Sequence, residues 1–188
     1  MKATIALAVV VGLTIPGAAA AQFGAAAGIR SVSTGSAATR DRNGVEVRGL
    51  FDRSVSARLS VRGELAYTQM RIPAVDASGR YTINENGFEL GVSARVPIRV
   101  ALAQAYLLAG PVASFRAACG VDSHFDPNGR VPCAGEATSR VGTTLGVGVR
   151  GFEGDGFDWT AELRLLRGTV NAAGGSLVAL SLGVQRRR

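Results

Sequence analysis

Apolar and polar residues alternate with period two in segment after segment of this chain. Successive side chains of a strand point to opposite faces, so each segment predicts a strand with one apolar and one polar face. The clearest is 157–167, where Phe157, Trp159, Ala161, Leu163 and Leu165 oppose Asp158, Thr160, Glu162 and Arg164. Over 57–69, Leu59, Val61, Leu65 and Tyr67 oppose Arg58, Ser60, Arg62, Glu64 and Thr68. Segments 87–97 and 140–150 repeat the pattern, with Phe88, Leu90 and Val92 against Glu89 and Arg95, and Leu145 and Val147 against Gly146 and Arg150. Shorter runs at 45–52 (Val45, Val47, Phe51 against Glu46, Arg48, Asp52) and 178–185 agree. Segment 23–33 is weaker, with Phe23 and Ile29 against Gly24 and Arg30. Segment 103–115 is apolar at nearly every position, so its faces cannot be read from the pattern. Pro111 lies inside it and predicts a bulge or an irregular pairing, because proline has no N–H for a sheet ladder.

That makes about eight segments of roughly ten residues each, the length a tilted strand needs to cross a bilayer. The connections alternate between long (34–44, 72–86, 117–138, 168–175) and short (53–56, 98–102, 153–156). Membrane barrels have this asymmetry, with tight turns at one end and longer loops at the other. The expected fold is therefore all-β: a closed antiparallel up-and-down transmembrane barrel of about eight strands. In lipid every strand amide and carbonyl needs a partner, and closure removes the free edges.

Charge sharpens the picture. The polar faces carry Arg30, Arg48, Arg58, Arg62, Arg95, Arg150 and Arg164, with Glu46, Asp52, Glu64, Glu89, Asp158 and Glu162. A barrel of about eight strands has an interior just wide enough for side chains to fill. Interleaved arginines and carboxylates fill it as ion pairs, since unpaired buried charge is costly. The apolar faces put Phe23, Phe51, Tyr67, Phe88, Phe157 and Trp159 near strand ends, as candidates for interfacial aromatic girdles. A soluble barrel or sandwich could use the same alternation with its charges in water. Strand number and loop asymmetry favour the membrane.

The formal net charge of +7 and a pI near 10.6 would ordinarily raise nucleic-acid binding. Against it, the arginines are spread along alternating segments, and only Arg186-Arg187-Arg188 form a run. The first residues also direct the chain out of the cytoplasm. Lys2, the apolar run 5–13, the break at Pro16-Gly17 and Ala19-Ala20-Ala21 have the layout of a secretory signal, with cleavage expected after Ala21. The domain division is then a signal peptide at 1–21 and a single barrel at 22–188.

As a whole, residues 22–188 resemble the small eight-stranded outer-membrane barrels of the OmpA/OmpX type, a porin-like family. Segments such as Gly87-Phe88-Glu89-Leu90-Gly91 and Tyr106-Leu107-Leu108-Ala109-Gly110-Pro111 carry the likeness. It implies a place in the outer membrane after secretion to the periplasm, contact with outer-membrane lipid, handling by the barrel-assembly machinery, and loops open to an extracellular ligand. Such barrels usually end in an aromatic residue, whereas this chain ends in Gln185 and three arginines.

Little else points to chemistry. Cys119 and Cys133 are the only cysteines, and both fall in the longest expected loop. An even count in a secreted chain reads as a disulfide. With His124 they make only three ligands at poor spacing for zinc. Ser123, His124 and Asp126 sit together, but adjacent residues of one loop rarely converge into a catalytic site. Residues 122–128 lack the glutamate and spacing of a calcium loop. Gly146-Val147-Gly148 lies on a strand with no helix after it, so it is no phosphate loop. The expectation is a non-enzymatic barrel without metal or cofactor, structural or surface-interacting. The alternatives are a narrow pore for small solutes and a soluble periplasmic barrel binding an apolar ligand.

Overall fold

A computed structural model describes residues 21–33, 42–76, 79–100, 103–123, 139–153, 156–169 and 176–186. The expected signal residues 1–20 lie outside these. Eight strands follow one another: β1 (Ala21–Ser33), β2 (Arg42–Ser56), β3 (Leu59–Asp76), β4 (Gly79–Val100), β5 (Ala103–Ser123), β6 (Ser139–Glu153), β7 (Phe157–Arg167) and β8 (Ser176–Arg186). Each pairs antiparallel with its sequence neighbours, and β1 pairs with β8 from Gly24↔Gln185 to Ser33↔Ser176. The sheet is thus a closed up-and-down barrel, as the alternation predicts.

The wall is inverted relative to a water-soluble protein. Alternate residues of β7 and β8 are buried and exposed almost without a break. The buried set includes Arg48 (1% exposed), Arg62 (0%) and Arg164 (1%), whereas Leu163 (48%) and Leu182 (67%) face outward. Water would make that exterior a single large apolar patch, far beyond what soluble monomers tolerate. Lipid removes the cost. A strand of 11 residues such as β7, tilted by roughly 40°, spans about the 25 Å height of the apolar band of such barrels.

Both ends depart from the sequence expectation. At the terminus end, β2 runs to Ser56 past a register shift between Ser54 and Ser56, and the chain reverses at Ala57 and Arg58. Arg58, expected inside, therefore stands exposed in the turn, where its N–H donates to Ser56 Oγ at 3.2 Å. The alternation of Arg58, Ser60 and Arg62 continues by sequence into a turn that no longer belongs to the wall. Tight reversal between β6 and β7 rests on Gly156, whose φ of 82° is a left-handed conformation that side-chain-bearing residues resist.

At the loop end, β3, β4 and β5 run well into the segments expected as loops. β3 and β4 stay paired to Asp76↔Gly79, and β5 remains on β4 to Tyr81↔Ser123. These strands have 18, 22 and 21 residues against 11 in β7 and β8, so a three-stranded flap rises above the barrel. One register shift at Asn86/Gly87 accommodates an extra residue, Ala117, where the flap leaves the wall. Pro111 pairs with Thr143 of β6, while the β4 ladder skips Val92 and Ser93 opposite it. That is the irregular pairing its missing N–H predicts.

Candidate functional site

Among the described residues the interior is filled by a stack of side chains. Near the terminus end, Asp52 of β2 anchors one group. Its Oδ1 accepts from Arg62 Nε at 2.8 Å, and its Oδ2 accepts from Arg62 Nη2 (2.8 Å), Arg95 Nη1 (2.9 Å) and Gln185 Nε2 (2.5 Å). Beside it, Arg150 donates from Nε to Asp158 Oδ2 at 2.6 Å and from Nη2 to both Asp158 and Gln22 Oε1, the latter at 3.1 Å.

At mid-height Glu162 of β7 gathers three donors. Arg48 Nη2 lies at 2.9 Å, the Tyr106 hydroxyl at 2.5 Å, and Arg62 Nη1 completes the set. Arg48 also donates to Glu64 Oε2 at 3.1 Å and to Ser181 Oγ. Its Nε lies 3.1 Å from Glu46 Oε1, close enough for an ion pair but not aligned for a hydrogen bond. Arg164 bridges Glu64 Oε1 (2.7 Å) and both oxygens of Glu46 (2.8 and 2.9 Å). Nearer the loops, Arg30 holds Glu46 Oε2 at 2.6 Å through Nε and takes Glu89 with both terminal nitrogens, one at 2.8 Å.

These pairs cross the barrel. Arg48, on β2, reaches β3 and β7, while Arg30, on β1, reaches β2 and β4. Within the lumen these pairs match six arginines (Arg30, Arg48, Arg62, Arg95, Arg150, Arg164) to six carboxylates (Glu46, Asp52, Glu64, Glu89, Asp158, Glu162), so this network is neutral. Above them, Val32, Met70, Val112, Leu166, Leu177 and Ala179 form an apolar layer across the lumen. Arg116 and Glu85 pair at 2.6 Å, half-buried, at the base of the flap.

Inward glycines make the room. A Cβ on Gly148 would fall on the Tyr106 ring, and one on Gly91 would meet Glu64 Cγ and Oε1 at 2.8 Å. Arg95 in turn stacks over Tyr106, 3.6 Å from the ring centre, a contact worth up to about 2 kcal/mol when desolvated.

The structure brings together every interior residue named from the sequence except Arg58. Sequence reasoning missed Tyr106 and Gln22; it sets Ser181 and Gln185 on the polar face of 178–185 without assigning them to the network. Tyr106 lies in the segment whose faces the pattern leaves open, and the only signal for it is that a polar tip on a buried aromatic needs a partner. The apolar layer was missed too, because Met70 and Leu166 sit on faces read as polar.

On the outer wall, Phe23 packs at a tilt against Phe51 with ring centres 5.1 Å apart near the termini, on the side of the barrel where Phe157 and Trp159 also lie. Tyr67 packs at a tilt against Phe88 at 5.5 Å, and the register sets Phe115 beside Phe88, an outward aromatic the sequence reading left out. Cys119 lies on β5, not in a loop, opposite Glu85, and is disulfide-bonded. Cys133 lies outside the described residues, as do His124 and Asp126.

No family model matches this chain, and no curated protein matches it. Solved structures do. Neisserial surface protein A superposes with a TM-score of 0.58 at 17% identity, over 92% of this chain and 100% of that one. Ail, the attachment invasion locus protein of Yersinia pestis, in complex with the heparin analogue sucrose octasulfate, gives 0.51 at 13% identity, over 88% and 97%. At such identities the likeness is one of fold, and it agrees with the resemblance to small outer-membrane barrels.

Proposed function

We propose that this chain is an outer-membrane barrel with a structural and surface-interaction role, sealed against solutes and active through the strands and loops at its outer end. The observation that carries the reading is the filled lumen. A neutral ion-pair network and an apolar layer of side chains cross the lumen among the described residues, which supports a barrel closed to solutes. The apolar exterior supplies the membrane, and both termini lie at the end with the short turns, which suits a chain arriving from the periplasm.

The flap of β3–β5 gives the outer end a shaped surface where most such connections would be loops. Ail, a protein of similar fold, is in complex with the heparin analogue sucrose octasulfate, which supports ligand recognition as a use for the architecture. The test has two arms. The outer-membrane fraction is run on an SDS gel with and without boiling, and the purified barrel is placed in a planar bilayer. A heat-dependent band in that fraction with no single-channel steps is the expected result. Discrete conductance would replace the sealed barrel by a narrow pore. Recovery from the soluble periplasm without a heat shift would overturn the membrane reading.

A further inference from the structure

We propose that the cavity at the terminus end of the barrel binds a phosphate-type oxyanion from solution, as inorganic phosphate or a phosphate monoester. The cavity has a volume of about 150 Å³; Arg95, Arg150, Ser54, Ser60, Gln104 and Gln22 supply its donors, and the Asp52 carboxylate, Tyr106 and small apolar residues complete the lining. Its mouth lies at the turn between β2 and β3. The wall around it is a closed, continuously hydrogen-bonded sheet, so a ligand enters from water and not sideways from lipid.

Two arginines face this cavity with donors to spare. Among the described residues Arg95 makes one hydrogen bond, from Nη1 to Asp52, which leaves Nε and Nη2 unused. Arg150 uses Nε and Nη2 and leaves Nη1. Both guanidiniums line this one cavity. Each arginine has an acid on one side, Asp52 for Arg95 and Asp158 for Arg150, but Asp52 is shared with Arg62 and Gln185, so its oxygens are taken up by four hydrogen bonds. An anion between the forks uses the idle donors.

The surrounding groups choose the class of anion. Guanidinium forks fit carboxylates and phosphates alike. Here the lining also carries the hydroxyls of Ser54, Ser56 and Ser60 and the side-chain amides of Gln22 and Gln104, groups that can donate beside the forks. A planar carboxylate presents two oxygens to such a set, whereas a tetrahedral phosphate presents up to four.

The test is titration calorimetry on the barrel folded in maltoside micelles, with inorganic phosphate as the probe and ionic strength held constant with chloride. One saturable site per barrel is expected, and glycerol phosphate should compete for it. Arg150→Gln should weaken binding about tenfold or more, the loss of one charge-assisted partner. Ser54→Ala with Ser60→Ala, which leaves the ion pairs intact, should weaken it several-fold. Each variant is checked by its cold-to-boiled gel shift, so that loss of the barrel is separated from loss of the site. If Arg150→Gln does not fold, the serine pair decides. No saturable heat with the native barrel, or equal affinity in the folded variants, overturns the proposal.

Discussion

Replacing Glu162 by Gln is the sharpest probe of the sealed interior. The substitution keeps the shape of the side chain and removes one charge from a site 2% exposed. Three donors converge on this carboxylate: Arg48 Nη2, Arg62 Nη1 and the Tyr106 hydroxyl. An amide turns one of its two oxygens into a donor facing them, and the interior gains an uncompensated positive charge. Breaking a buried pair by removing one partner costs about 3–5 kcal/mol. That is about two to nearly four powers of ten in the folding constant, and a large share of a net stability of about 5–15 kcal/mol. The assay is urea unfolding of the barrel in phospholipid vesicles, read by the heat-shifted gel band and by the emission of Trp159, the only tryptophan. Adding Arg62→Met to the variant removes a cation along with the anion, so the two losses should sum to less than their separate values, by about 0.5–3 kcal/mol. A loss below about 1 kcal/mol for Glu162→Gln, the value of a solvent-exposed pair, would mean that water reaches the network and that the lumen is not sealed.

Other perturbations test other walls of the argument. Gly148→Ala should cost about 1–3 kcal/mol in the same unfolding assay, because its Cβ overlaps the Tyr106 ring. Gly63→Ala, with nothing within 4 Å of its Cβ, should be neutral or stabilising, and equal effects would refute the packing account. Leu163→Arg at mid-wall should destabilise the barrel in vesicles by about 2–4 kcal/mol, and an unchanged midpoint would show that this face does not meet lipid. Cys119 and Cys133 should be joined in one peptide on non-reducing mass mapping. Closing a loop of about 15 residues stabilises by about 3 kcal/mol in the chain-entropy account, so reductant should lower the urea midpoint, and free thiols at both positions would refute the pairing.

The architecture was legible because one-sided burial writes period two into each strand, and the membrane reverses the faces without changing the period. Leu163 and Glu162 show this directly, since only the charge load distinguished outside from inside. The pattern failed where its cause stops. Beyond the bilayer both faces of a strand are wet, so alternation fades while backbone pairing continues, and the flap of β3–β5 was read as two loops. Within the barrel, a lumen at the level of Val112 and Leu166 is apolar on the inside as well as the outside. Alternation vanishes there, and with it went the face of Tyr106. Arg58 was misplaced for the opposite reason: period two continued by chance through a turn that had already left the wall.

The use of arginine alone as the base after Lys2 now has a structural cause that needs no nucleic acid. Backbone ladders join each strand only to its neighbours and leave the cross-section of the barrel free to flatten. The guanidinium forks supply the missing links, with Arg48 tying β2 to β3 and β7, Arg62 tying β3 to β2 and β7, and Arg30 tying β1 to β2 and β4. Each fork meets two carboxylates on different strands at fixed angles, which a planar group with five donors can do. A lysine carries the same charge as a mobile point and pays more rotamer entropy per bond formed. Neutrality and rigidity therefore come from the same residues: six arginines matched to six carboxylates cancel the charge of the network while bracing the wall from within. Lysines in their place would leave the charge balanced but the lumen free to open.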